Sequence, residues 1–225
     1  MLRFRKKDLP SSTVQEYVEA LYRLQQGERP VRAASLAAHL KVSRSAAVEM
    51  LRKLLQQGLA DQVKDQGYIL SREGEGLALH LLRTHRLSER FLTDILGISW
   101  DKVHEEACQL EHTLSPEVEA ALEELLDKPA TCPHGQPIPD KEGLFREEAT
   151  RPLAEMVPGE KGTIMKISEE EPGLLKYLAT LGLLPQASVT IEEVVPLGGP
   201  ILVQLGASKY ALGREIASKI LVKEG

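Results

Sequence analysis

Residues 31–63, VRAASLAAHLKVSRSAAVEMLRKLLQQGLADQV, decide how the amino-terminal part of this chain folds. Leu36, Ala37 and Leu40 recur at helical spacing and mark a short helix, and Lys41-Val42-Ser43 is a tight turn. Ser43 caps a second helix running to Gln57, with Ala47, Leu51, Leu54 and Leu55 inward. Two short helices with a three-residue turn, the second opening on small polar and basic side chains, read as a helix-turn-helix. After Gly58 come Leu59–Val63, a turn at KDQG and Tyr68–Ser71, a hairpin that would be the wing of a winged helix. That hairpin and the local basic excess favour DNA binding over a generic helical hairpin.

Charge supports this reading. Residues 1–73 carry 13 Lys/Arg against 8 Asp/Glu, whereas the remainder carries 15 against 25, so a net charge of −5 hides a basic amino-terminal segment. Lys and Arg gain by displacing phosphate counterions, which makes such a segment a polyanion-binding face. With 42% hydrophobic and 27% charged residues, the 225-residue chain reads as a soluble globular protein of one large or two smaller domains. A run of about 18 apolar residues, the minimum for a membrane span, is absent, and the start MLRFRKKDLPSS lacks the apolar stretch of a secretory signal. Two cysteines, Cys108 and Cys132, give no disulfide framework and suit a reducing cytoplasm.

Outward from the helix-turn-helix, Ser11-Ser12-Thr13 announces a first helix, with Gln15 or Glu16 placed to close a capping box and Val14, Val18, Leu21 and Leu24 facing a core. A long helix is expected from Glu73 to Leu96, stopped by Gly97. Ser99 caps the next, and Ser115-Pro116-Glu117 starts another that ends near Asp127. Residues 129–152 hold five prolines and read as a linker. Beyond it GTIMKI, ASVTIEEVV, PILVQL and KILV are short β-type runs, with helical pieces near 172–181 and 210–217, and predict a small strand-rich barrel. The domains expected are thus 1–73, 74–128, the linker 129–152, and 153–225.

The chemistry lies in HEEACQLEH, residues 104–112. His104, Cys108, Glu111 and His112 share one side of a helix, since residues three and four apart are neighbours. On the preceding helix His85 and Glu89 interrupt an apolar stripe of Leu81, Leu92 and Leu96. Buried unpaired, such groups cost several kcal/mol, and a divalent metal would satisfy them together. Mixed imidazole, carboxylate and thiolate donors suit Fe(II), Mn(II), Co(II), Ni(II) or Zn(II). A hydrolytic centre of the H-E-x-x-H kind fits worse, because Cys108 stands where the second histidine is needed and the helix-turn-helix is left unexplained.

The run THRLSERFLTDILGISWDKVHEEACQLEHTLSPEVE, residues 84–119, with CPHGQPIP, residues 132–139, and the winged helix before them, resembles the long form of the DtxR/MntR-type iron- and manganese-dependent transcriptional repressors. PLAEMVPGEKGTI, LATLGLLPQASVTI and GGPILVQLG look like the SH3-like FeoA module of such proteins. The resemblance implies a mainly α protein with a winged helix-turn-helix, a helical metal-binding and dimerisation domain and a small SH3-like β-barrel. It implies a metal-activated repressor, a homodimer on palindromic double-stranded operator DNA, with no membrane and no small organic substrate. A cytoplasmic metal-trafficking protein acting through the FeoA-like module is the second reading, and a metallohydrolase the third.

Two metal sites per subunit are implied. An ancillary site would use His85, Glu89 and His104, with Glu171 as an added donor from the SH3-like domain. The primary site would use Cys108, Glu111 and His112 with Glu16 of the first helix, and Glu19 one turn on is placed as in the manganese type. Cys108 is an iron-type feature and a carboxylate at Glu16 a manganese-type one, so the sequence is a hybrid in which thiolate favours Fe(II) over the harder Mn(II). Cys132 and His134 form a metal-type pair, but their close spacing among prolines reads as a structural linker. For DNA, Ser43, Arg44, Ser45 and Glu49 open the recognition helix, Arg52 and Lys53 face phosphates, and Arg32 lies on the same basic face. Arg44 is the residue suited to bidentate pairing with guanine.

Overall fold

A computed structural model describes residues 9–145, 148–168 and 171–225; the basic start MLRFRKKD lies outside the described residues. Contacts divide the chain into two units, one holding the residues up to His85 with Gln109–Glu124 and Pro139–Leu144, the other Arg86–Cys108, Leu125–Ile138 and Phe145–Gly225.

The first unit begins with α1 (Ser12–Gln25), α2 (Ala33–His39) and α3 (Arg44–Gln56). Val14, Val18 and Leu21 of α1 are fully buried in one core with Leu36 of α2 and Leu51 and Leu54 of α3. Lys41 closes the α2–α3 turn in the left-handed region at φ 54°, and Val42 N–H donates to the Ala37 carbonyl at 3.0 Å. Ser43 caps α3 by accepting from Ala46 N–H at 3.2 Å, as its residue type predicts. The wing is the antiparallel pair β1 (Ala60–Val63) and β2 (Gly67–Leu70). Tyr68 exchanges two backbone hydrogen bonds with Val31, each 2.9 Å, which ties the wing to the chain entering α2. The expected winged helix-turn-helix is present.

One expectation fails at the start of α1. The side chain of the N-cap residue Ser11 makes no capping hydrogen bond, so the capping box does not form. Gln15 is buried instead, and its Nε2 donates to the Pro10 carbonyl at 2.8 Å. A side chain drawn inward by that bond cannot reach back to the exposed cap.

Helices α4 (Arg72–Asp94) and α5 (Val103–Glu111) each contribute to both units, and α6 (Pro116–Leu125) belongs to the first up to Glu124. Arg83 of α4, only 4% exposed, joins α6 through Glu119 and Glu123, each at 2.7 Å, and donates to the Pro139 carbonyl at 2.6 Å. His80 lies 3.6 Å from Glu119. Burial holds the His80 imidazole below its ordinary value of 6.5, opposed by Glu119 and reinforced by Arg83. The unfolded chain therefore binds the extra proton first. This contribution to stability is intact above pH 6.5 and is lost as pH falls below it toward the lowered folded value. Denaturant unfolding on either side of pH 6.5 should show that loss, and His80→Gln should flatten it.

The second unit carries a six-stranded sheet in the order β3-β8-β4-β5-β6-β7. Its strands are β3 (Arg151–Pro152), β4 (Lys161–Ile167), β5 (Ser188–Val194), β6 (Ile201–Leu205), β7 (Ser208–Leu212) and β8 (Ile220–Glu224), with α7 (Pro172–Leu181) and α8 (Arg214–Lys219) between them. Ile164, Leu175, Leu178, Ile191, Val203 and Ile220 are fully buried in its core. Every strand pair is antiparallel. Among the described residues the sheet stays open, whereas a closed barrel was expected. β3 is two residues ending in a proline without an N–H, which gives an edge too short to close on β7. The helical piece expected near 210–217 is also corrected: Tyr210 pairs with Val203 in the β6–β7 hairpin, and the helix starts only at Arg214. No helix of the described residues is long and apolar enough to cross a membrane.

Candidate metal centre and nucleic-acid interface

Among the described residues, each unit holds one group of metal-type donors wholly its own. In the first unit, Glu19 of α1, Glu111 at the end of α5 and His112 just beyond it bring one ligand atom each to within 4.8 Å of one another. Glu111, 6% exposed, divides its carboxylate between two imidazoles: Oε2 lies 2.6 Å from His85 Nδ1 and Oε1 lies 3.4 Å from His112 Nε2. His85 is itself 3% exposed. Two carboxylates and two imidazoles converge here, a donor set suited to Fe(II), Mn(II) or Zn(II).

The first-helix residue in this group is Glu19 and not Glu16. Glu16 is exposed on α1, while Gln15 is buried and its Oε1 accepts from His112 Nδ1 at 2.8 Å. Gln15 and Glu19 stand one turn apart and share a stripe of α1, and Glu16 is rotated away from Gln15 by about 100°.

In the second unit, Glu89 of α4 is fully buried with Cys132 and His134, and one ligand atom of each lies within 4.8 Å of the others. Glu89 Oε1 is 3.3 Å from His104 Nδ1 and 3.4 Å from His134 Nδ1. Cys108 Sγ lies 3.7 Å from His104 Nε2 on the same helix. The CPHG segment is held by its backbone: Cys132 N–H donates to the Gln136 carbonyl at 2.8 Å, and Ile167 N–H of β4 donates to the His134 carbonyl at 3.1 Å. Gly135 is required at φ +83°, where a Cβ would stand 1.9 Å from the Met165 carbonyl oxygen. His134 Nε2 is 2.9 Å from the Trp100 carbonyl, which only accepts, so Nε2 carries the proton and Nδ1, facing Glu89, is the nitrogen able to ligate.

The preference for a structural linker over a metal pair at Cys132 and His134 thus set aside two residues that share a buried group with Glu89. A signal was available in the sequence, since a thiol, an imidazole and a glycine adjoin in residues 132–135. Glu171 serves as N-cap of α7, accepting from Gly173 N–H at 2.9 Å and Leu174 N–H at 2.7 Å. These backbone donors hold its carboxyl below the ordinary carboxylate range.

The candidate nucleic-acid face is the exposed side of α3. Arg44, Ser45, Val48, Glu49 and Arg52 line an open groove of about 670 Å³. Arg44, Ser45, Glu49, Arg52 and Lys53 are exposed, as is Ser43, whose hydroxyl also lies 3.0 Å from that of Ser45. Arg32, at the entry to α2, is exposed and 3.8 Å from Glu28. Two guanidiniums, Arg44 and Arg52, along one exposed helical face suit a phosphate-lined groove.

A winged helix with an exposed basic recognition helix, built around buried carboxylate–imidazole groups, defines a DNA-binding protein of the metal-responsive class. Family models agree along the chain. The iron dependent repressor N-terminal DNA binding domain matches residues 10–68, the iron dependent repressor metal binding and dimerisation domain residues 71–140, and the FeoA domain residues 151–224. The chain is 31% identical over 226 residues to the iron-dependent repressor IdeR of Mycobacterium tuberculosis (strain ATCC 25618 / H37Rv), covering 94% of this chain and 97% of that one. It is 36% identical over 149 residues to the diphtheria toxin repressor of Corynebacterium diphtheriae, covering 65% of each. Among solved structures it is similar to a manganese-dependent transcriptional repressor in complex with manganese, with TM-score 0.83, 32% identity, and 94% of this chain and 100% of that chain covered. It is also similar to ScaR with bound Cd2+, with TM-score 0.79, 31% identity, and 96% and 100% covered. The chain belongs to the iron-dependent repressor family.

Proposed function

We propose that this protein is a transcriptional repressor activated by Fe(II) or Mn(II), acting as a homodimer on palindromic double-stranded operator DNA to control metal-ion homeostasis. The observation that carries the reading is the convergence of Glu19, Glu111 and His112, because it joins α1 to the residues ending α5. The opposite side of α1 is packed into the core that holds α3. Relatives named as iron-dependent and manganese-dependent repressors support the same reading.

In this reading Glu19, Glu111 and His112 hold the cation, with His85 fixing the second oxygen of Glu111. A bound divalent ion supplies the positive charge that lets the two carboxylates share one site. Glu19 then fixes α1, and through Val14, Val18 and Leu21 the position of α3 and its arginines. A second ion is assigned to Glu89, His104, Cys132 and His134, where Cys132 gives the group a softer donor suited to Fe(II). Cys108, next to His104, can join this chemistry through its thiolate. DNA affinity rises because one arrangement of the recognition helices is selected.

The test separates Glu19 from Glu16. Isothermal titration with Mn(II) should show Glu19→Ala weakening the tighter site by more than the roughly 10-fold that loss of an outer partner costs. Glu16→Ala should leave it within a few-fold of the parent. Equal losses, or a loss confined to Glu16→Ala, would remove Glu19 from the site.

A further inference from the structure

Gln15 is 3% exposed, and its amide makes two contacts at opposite ends. The Pro10 carbonyl can only accept a hydrogen bond, so the nitrogen of the amide must face it, at 2.8 Å. Oε1 is then the atom 2.8 Å from His112 Nδ1, and an amide oxygen can only accept. Nδ1 therefore carries the proton, and in the neutral ring the lone pair lies on Nε2. The distances support this choice, since the alternative proton on Nε2 would have to reach Glu111 Oε1 across 3.4 Å, too long for a good hydrogen bond. Glu111 already gives its other oxygen to His85 at 2.6 Å.

We infer that Gln15 is a positioning residue that sets the Nδ1–H tautomer of His112, so that Nε2 is presented to a divalent cation held with Glu19 and Glu111. The same amide ties the backbone in front of α1 to this group. Metal occupancy is thereby coupled to the order of the chain at Pro10. Free imidazoles favour the opposite tautomer, so without Gln15 the ligating nitrogen would be the protonated one and the proton would have to move before a cation could bind. This inference rests on the proposed metal site for its consequence, but the tautomer is a property of the metal-free protein.

The experiment is nitrogen-15 NMR of the His112 ring in metal-free full-length protein in mildly alkaline solution, paired with Mn(II) titration calorimetry. The parent should show the proton on Nδ1. Gln15→Leu should move it to Nε2 and weaken Mn(II) binding about 10–100-fold, the usual effect of losing an outer partner of a histidine ligand. Gln15→Glu keeps an acceptor for the Nδ1 proton and gives up the donor to Pro10. It should retain the tautomer while losing metal-induced protection of the residue 11–14 amides from hydrogen exchange. A parent ring protonated on Nε2 would overturn the inference, as would a Gln15→Leu protein in which Mn(II) affinity falls with the tautomer unchanged. Failure of the parent to bind Mn(II), with the Nδ1–H tautomer present, would instead count against the metal site proposed for Glu19, Glu111 and His112 and against the coupling inferred here.

Discussion

Replacing Glu111 with alanine should abolish the response of DNA binding to metal while leaving the protein folded. Glu111 is buried, and each of its oxygens faces a different imidazole, His85 at 2.6 Å and His112 at 3.4 Å. Its loss removes a donor and at the same time the hydrogen-bond partner of His85. Ligand-driven coupling between two sites is commonly about 5–150-fold, and that factor is expected to fall to near one. Metal-free, salt-sensitive binding through Arg44, Arg52 and Lys53 should persist, because phosphate neutralisation at the exposed face of α3 does not involve Glu111. Fluorescence anisotropy with a labelled duplex, with and without saturating Mn(II), reads both quantities. A preserved metal response in Glu111→Ala would place the activating ion elsewhere.

The largest effect on stability is expected at Arg83. Its guanidinium is 4% exposed and serves Glu119 at 2.7 Å, Glu123 at 2.7 Å and the Pro139 carbonyl at 2.6 Å. Lys141 adds a second cation to Glu123 at 2.9 Å. Breaking a buried ion pair by removing one partner typically costs about 3–5 kcal/mol, mostly because the remaining charge is left without compensation. Arg83→Met should therefore lower stability by about that amount in urea unfolding. Combining it with Glu119→Leu and Glu123→Leu should recover much of the loss, since a well-packed apolar cluster often equals the ion pairs it replaces. If Arg83→Met alone cost less than about 1 kcal/mol, a value typical of exposed pairs, this network would not be holding α6 to α4.

How much of this was legible in the sequence differs from element to element. The winged helix was readable because its signals are local: Ser43 followed by an apolar stripe, a tight turn at Lys41–Ser43, and two β-type runs around KDQG. His104, Cys108, Glu111 and His112 were readable as candidate donors because helical spacing sets them on one side, but their division was not, since Cys108 lies beside His104 whereas Glu111 and His112 converge with Glu19. What could not be read is which stripe of α1 meets Glu111 and His112. Glu16 and Glu19 both fit by spacing, and only the packing of Val14, Tyr17, Val18 and Leu21 into the core turns Gln15 and Glu19 inward. Gln15 reads as a capping residue in sequence for that reason. Cys132 and His134 were visible as a metal-type pair but not their partner Glu89, because prolines mark a segment as irregular and say nothing about where it docks. The open edge at β3 likewise depends on pairing partners distant in sequence, which alternation alone does not specify.

Anaerobic titration of DNA binding against Mn(II) and Fe(II) tests the central claim most directly. The probe is a duplex selected from a random-sequence pool with the metal-loaded protein, read by anisotropy at fixed salt before and after chelation. The account predicts an affinity gain within the roughly 5–150-fold range typical of coupled sites, reversed by the chelator and absent in Glu111→Ala. The same affinity with metal and with chelator would contradict it.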